Sequence, residues 1–223
     1  MSSAPVGIEW DGGRVSGLLE RPANARALLV LAHGAGAGMA HPFMAAVASG
    51  LARRGVATLR YQFPYMERGA KRPDTPAVAQ CAVRAAVDQA ARLAPALPLF
   101  AGGKSFGGRM TSQAQSESPL PGVRGLAFLG FPLHPPGKPS DERARHLFEV
   151  KIPILFLQGG RDDFAAMDLL APLVGRLGSR AMLKAFAGAD HSFHVPKRLG
   201  SDPEVVDALL DALAGWIDAV VLG

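Results

Sequence analysis

An α/β sandwich of three layers, with a mostly parallel central sheet and no large cap, is the fold class this sequence predicts. Two observations carry it. Short apolar runs alternate with helix-periodic segments along almost the whole chain, and the inner runs are apolar at every position rather than at every second one. A strand apolar on both faces must be covered on both faces, which a parallel sheet between helices provides. No internal repeat and no shift in composition divides the 223 residues. One domain over 1–223 is expected, long enough to bury a substantial core.

The elements follow in order. Val6 to Trp10 and Arg14 to Glu20 flank Asp11-Gly12-Gly13, a hairpin with Asp-Gly as its turn signal. The run ALLVLAH, ending at His33, is a buried strand. Pro42 to Arg54 has helical spacing, with Phe43, Val47 and Leu51 on one face, and Gly55 ends it. Val56 to Tyr61 is the next strand, and Thr75 to Leu93 an alanine-rich helix. Leu97 to Ala101 is a strand, Ser105 to about Glu117 a helix, and Val123 to Phe131 a strand. Beyond the proline-rich PLHPPGKPS come a short helix at Asp141 to Phe148, a strand at Ile152 to Gln158 and a helix at Phe164 to Leu177. A strand at Ala181 to Phe186 and a helix at Pro203 to Val221 close the chain. The segment 131–150 is too short for a large cap.

Composition excludes several function classes. Hydrophobic residues make up 48% and charged residues 19%, the balance of an ordered globular chain. The formal charge is +5, but pairs such as Arg53-Arg54 and Lys71-Arg72 are short and scattered. No basic patch interleaves with aromatics, so no nucleic-acid partner is expected. The one cysteine, Cys81, excludes an intrachain disulfide and a Cys-rich zinc site. Among Ala79, Ala82, Val83 and Ala86 it is expected to be a buried structural residue. Met1 to Asp11 lacks a leader pattern, and no apolar run approaches a membrane span. A cytoplasmic protein with no membrane partner is expected.

The stretch LPLFAGGKSFGGRMTS, 97–112, carries the chemistry, and it admits two readings. Gly-Gly-Lys-Ser suggests a phosphate-binding loop, but that loop needs its first glycine five residues before Gly103, where Pro98 stands. The four residues between belong to a strand. The second reading is G-x-S-x-G, with Gly103 and Gly107 two positions either side of Ser105. A sharp strand–turn–helix there projects the serine from the sheet edge and needs small residues around it. The partners of a serine nucleophile follow downstream as acid, then histidine. After ILFLQ come Asp162 and Asp163, either of which can supply the acid. After AMLKAF comes His191, with His194 as the reserve base. The plainer duties of these residues are a helix cap for Asp162 and solvated loop positions for the histidines. His191-x-x-His194 lacks a third ligand for a metal, and no cofactor is expected.

The loop His33-Gly34-Ala35-Gly36-Ala37-Gly38 follows the first central strand and brings a backbone N–H near a developing oxyanion. Ala35 and Phe106 are the candidate oxyanion donors. Its alternating glycines do not match a dinucleotide-binding loop, since Met39 stands three after Gly36. Tyr61, Phe63, Tyr65 and Met66 follow one central strand, and Phe131, Leu133 and His134 another. These are the candidate substrate wall, unless they simply pack against loops. Arg60, Arg109 and Arg161 are candidates for an anionic substrate group, with Arg109 alternatively a structural partner for an acid.

The segments LAHGAGAGMAHPFM, RYQFPYME, GGKSFGGRM, GFPLHPPGKP, LFLQGGRDDF and GADHSF span residues 31–193. Together they resemble the α/β-hydrolases, and within them the small, capless group related to the dienelactone hydrolases. The likeness is closest to the family of testis-expressed protein 30 and the hydrolase-like domain of KAT8 regulatory complex subunit 3. The resemblance implies a Ser–Asp–His triad, in which Ser105, Asp162 and His191 match by motif position. True dienelactone hydrolases carry a cysteine nucleophile, and the serine here sets this chain apart from dienelactone cleavage. The expectation is a serine hydrolase, a carboxylesterase acting on a small-molecule ester with a short acyl group. Some eukaryotic relatives act as components of complexes, so the alternative is a binding or scaffold protein that retains the hydrolase fold.

Overall fold

The computed structural model describes residues 3–223. Met1 and Ser2, which open the stretch lacking a leader pattern, lie outside the described residues. Among the described residues there are eight strands: β1 (Ala4–Trp10), β2 (Gly13–Glu20), β3 (Ala27–Ala32), β4 (Val56–Tyr61), β5 (Leu99–Lys104), β6 (Val123–Leu129), β7 (Ile154–Gly159) and β8 (Ala181–Phe186). They form one sheet in the order β1-β2-β4-β3-β5-β6-β7-β8. The hairpin β1–β2 is antiparallel, and β2 runs antiparallel to β4 with Leu18 opposite Arg60. Every other pairing is parallel. β3, β4 and β7 are buried at all their residues, as their unbroken apolar sequences require.

Helices cover both faces. On one face lie α1 (Pro42–Arg53) and α6 (Asp202–Leu222). Met44, Val47 and Leu51 of α1 recur at helical intervals and pack with Leu209, Leu213 and Ile217 of α6 against Leu29, Leu31 and Phe100 of the sheet. On the other face lie α3 (Pro76–Leu93), α4 (Phe106–Glu117) and α5 (Met167–Leu177), with Ala82, Val83, Ala86, Met110, Leu170 and Leu173 turned inward. Each large aliphatic side chain fully buried here contributes about 1.5–3 kcal/mol. α1 starts where Pro42 occupies the first turn and His41 Nδ1 accepts from Phe43 N at 3.2 Å. A short helix, α2 (Pro64–Glu67), follows β4 and was not legible as a separate element in the sequence.

Three expectations need correction. Cys81 is exposed, not buried, because α3 turns the stripe Ala79, Ala82, Val83, Ala86 and Val87 inward and leaves Cys81 on its outer side. The helix expected from Phe164 starts only at Met167, since the Phe164 N–H is taken by the Asp162 carboxylate at 2.8 Å. The segment around Asp141 to Phe148 winds as a 3₁₀ helix at Glu142–Glu149.

The topology positions the site. β4 lies on one side of β3 and β5 on the other, so the chain reverses its direction of travel across the sheet at β3. In open α/β sheets the crevice outside such a reversal, at the C-terminal strand ends, is where ligands bind. The Gly34 loop and Ser105 both emerge there.

Candidate active site

β5 runs straight to Lys104, and α4 starts at Phe106, leaving Ser105 as the whole of the turn. Its φ of 50° and ψ of −115° are far from the ordinary wells of a residue with a side chain. The flanking sequence explains how the fold tolerates this. A Cβ on Gly107 would stand 2.6 Å from both Ala32 O and His33 O, and one on Gly103 would run into Ala32 O. Only glycine lets the turn press against the end of β3. The Ser105 N–H donates to Leu129 O at 3.2 Å, and the Ser105 carbonyl accepts from Arg109 N at 3.1 Å. The turn is thereby held from both sides.

Two further strand ends deliver side chains to the serine. His191 Nε2 lies 2.8 Å from Ser105 Oγ, and His191 Nδ1 lies 2.7 Å from Asp162 Oδ2. With the carboxylate accepting from Nδ1–H, Nε2 is left to accept from the hydroxyl. Asp162 is 5% exposed, and every contact it makes fixes it. Oδ1 accepts from Phe164 N, and Oδ2 also accepts from Gln158 Nε2. The Phe164 ring lies over the imidazole with centroids 4.4 Å apart. The His191 loop is braced by Asp190, whose Oδ1 accepts from Ser192 N at 2.8 Å and His194 N at 3.0 Å. An imidazole oriented by a carboxylate and bonded to a hydroxyl is arranged to take that hydroxyl's proton.

The loop after β3 is held by its own His33, by Gln62 and by Tyr65, which was expected in the substrate wall. His33 is buried; its Nδ1–H donates to Gly34 O at 2.7 Å, and its Nε2 accepts from Phe63 N at 3.1 Å. Burial lowers its pKa, which the bond to Gly34 opposes, so the ring serves as a neutral brace. Tyr65 OH accepts from Gly36 N at 2.8 Å, and Gln62 Oε1 from Met39 N at 2.8 Å. Burial raises the Tyr65 pKa, and the phenol stays protonated. Among the described residues, the N–H groups of Ala35 and Phe106 donate to no protein acceptor.

A cavity of about 370 Å³ opens beside Ser105. Ala35, Ala37, Phe43, Met44 and Phe164 make most of its wall, with His41, Lys104, His191 and Ser192 as the polar part. The sequence-predicted substrate wall is not there. Tyr61, Phe63, Tyr65 and Phe131 are all at most 1% exposed, in the core beneath the loops. Aromatic residues after a strand are here a packing signal, and Phe43 and Phe164 line the cavity in their place. His134 lines a different groove, on the far side of the Asp162 loop, where its Nε2 accepts from Ala166 N at 2.9 Å. Asp163 is exposed and faces that groove too. His194 bonds Asp202 at 2.7 Å, away from Ser105. Arg60 is buried against Glu20 at 3.7 Å and donates to Met39 O, a structural placement. Arg109 has no carboxylate partner among the described residues, and Arg161 is exposed. Gln158, which donates to Asp162, was missed; its signal was a lone polar residue at the end of an apolar strand.

A mostly parallel sheet with a serine on a strained strand–helix turn, facing a histidine, defines a hydrolase of the α/β type. The chain belongs to the alpha/beta hydrolase domain family, whose model matches residues 25–218. Solved structures share the fold. A dienelactone hydrolase from Anabaena variabilis is similar at a TM-score of 0.79 and 21% identity, over 98% of this chain and 97% of that one. An alpha-beta serine hydrolase homologue from Coxiella burnetii gives 0.77 and 19%, over 96% and 98%. Est1E from Butyrivibrio proteoclasticus gives 0.75 and 16%, over 99% and 100%.

Proposed function

We propose that this hydrolase is a serine carboxylesterase acting on small esters, with Ser105, His191 and Asp162 as its triad. The observation that carries the reading is the unbroken relay Ser105 Oγ–His191–Asp162, with links of 2.8 and 2.7 Å, at a turn strained enough to expose one hydroxyl. His191 Nε2 takes the Ser105 proton as Oγ bonds to the ester carbonyl carbon. The electron pair of the carbonyl moves onto its oxygen, toward the free N–H groups of Ala35 and Phe106. Each such donor contributes about 3 kcal/mol to the transition state. His191 then gives its proton to the departing alcohol. Water, deprotonated by the same imidazole, releases the acid and restores Ser105. Asp162 holds the tautomer throughout.

The apolar cavity suits a short acyl group, and no cofactor enters any step. The finer likeness to testis-expressed protein 30 and the KAT8 subunit rests on the motifs LAHGAGAGMAHPFM and GGKSFGGRM. A fluorophosphonate probe on native and denatured protein, with a panel of nitrophenyl esters, tests the reading. Labelling of Ser105 in the native protein only, together with turnover, supports it. Neither labelling nor turnover would sink it and leave the binding or scaffold role.

A further inference from the structure

Lys104 is the residue immediately before Ser105, and the proposed chemistry leaves it unused. Its stem passes Gly34, where a Cβ would meet Cγ at 3.5 Å, and lines the Ser105 cavity. Its amine does not face that cavity's solvent. Nζ is sealed from water and has no hydrogen-bond partner. It lies beside the histidine instead. A Cβ on Gly130 would stand 3.0 Å from Lys104 Nζ and 3.4 Å from His191 Nδ1. Nζ is also 5.8 Å from the centroid of the Phe193 ring, two residues past His191.

The charged groups around Nζ are few. Asp162, after β7, and Asp190, after β8, attract it through space without bonding it. Both oxygens of Asp162 are engaged, by Gln158, His191 and the amide of Phe164, and Oδ1 of Asp190 accepts from the amides of Ser192 and His194. After β3, His33 is spent on Gly34 and Phe63, and His41 sits on the cavity wall. A buried amine with no partner is costly, and methionine would fill the same space at lower cost. A packing role therefore does not account for it.

We infer that Lys104 is a positioning residue that acts through His191, its charge beside the ring setting how readily the ring accepts the Ser105 proton. The inference rests on the triad proposed above. An ammonium beside an imidazole disfavours imidazolium. The charged lysine thus opposes the imidazolium that forms as the ring takes the Ser105 proton. Burial draws the Lys104 pKa down to about 8, against the pull of Asp162 and Asp190. Loss of its proton there removes that opposition.

The test is kcat/KM on p-nitrophenyl acetate, and the rate of fluorophosphonate labelling, against pH for wild type, Lys104→Met and Lys104→Arg. Wild type shows an acid limb and a further rise of about threefold centred near pH 8. Lys104→Met, with no charge beside the ring, holds the upper rate on both sides of pH 8 and so loses the rise. Lys104→Arg, charged throughout, keeps the wild-type acid limb and also loses the rise. A Lys104→Met profile that superimposes on wild type after scaling overturns the inference and leaves the triad standing. A wild type that neither labels nor turns over removes the triad reading, and this inference with it. Circular dichroism checks each fold. Lys104→Gln replaces a variant that does not fold, and failure of both neutral variants to fold makes the role structural and overturns the inference.

Discussion

Gln158 Nε2 and His191 Nδ1 donate to the same oxygen of Asp162, while Gln158 Oε1 accepts from Phe131 N at 2.8 Å. The amide orientation follows from chemistry, since the Phe131 N–H can only donate and the carboxylate can only accept. One side chain thus ties the end of β7 to the loop after β6 and to the acid. Gln158→Leu breaks both bonds at nearly constant volume. It leaves the Phe131 N–H buried without an acceptor, at a cost of about 1–3 kcal/mol. With the carboxylate less fixed, kcat/KM falls about tenfold, equivalent to about 1.4 kcal/mol. Thermal melting and ester turnover measure the two effects. Wild-type values in both would show the bridge to be idle.

The choice of acid has a sharp test. Asp162 is buried against His191, while the neighbouring Asp163 is exposed in another groove. Asp162→Asn leaves the imidazole without the acceptor that fixes its tautomer, and turnover falls about 10⁴-fold. Asp163→Asn and His194→Gln change it by no more than about twofold, as is usual for surface positions. Loss of activity in Asp163→Asn alone would reassign the acid.

The strand ends were legible because three independent signals coincide there. ALLVLAH, ILFLQ and GGKSFGG each join an apolar run to small or polar residues, and a parallel sheet sends all such ends to one edge. The cavity wall was not legible. Phe43 and Met44 start α1 and Phe164 follows the acid, so they are far apart in sequence and meet only when loops from different strands converge. Tyr65 and Phe63 looked like a wall, but their work is to brace the Gly34 loop through Gly36 and His33. The place of Lys104 was not legible either, because no sequence pattern states that an amine is sealed beside a histidine 87 positions on.

The glycines of the turn differ in what they forbid. A Cβ on Gly107 meets two backbone carbonyls at 2.6 Å, and backbone cannot swing aside as a side chain can. Gly107→Ala costs about 3 kcal/mol of stability, the upper range of overpacking, and shifts β3 away from Ser105, lowering turnover as well. Gly175, on the exposed side of α5, has nothing within 4 Å of a Cβ. Gly175→Ala raises stability by about 0.5–1 kcal/mol with activity unchanged. Chemical denaturation ranks the pair. Equal effects would mean that the close approach at the turn carries no cost.

His146 gives the protein a defined acid sensitivity away from the site. Its Nε2 lies 2.8 Å from Ser112 Oγ of α4, and its pKa is lowered from 6.5 to about 4, by burial first and by the charge of Arg109 second. The unfolded chain therefore takes up a proton through a range in which the folded protein refuses it. Stability is whole above the unfolded value and declines as pH falls from 6.5 toward about 4, below which this group adds no further slope. The gap between those values corresponds to about 3 kcal/mol. His146→Gln can still bond Ser112 but does not titrate, so its denaturation free energy declines less across that window by about this amount. His33, whose pKa burial also lowers, retains its own share of the decline in both proteins. An unchanged slope in His146→Gln would place the acid sensitivity elsewhere.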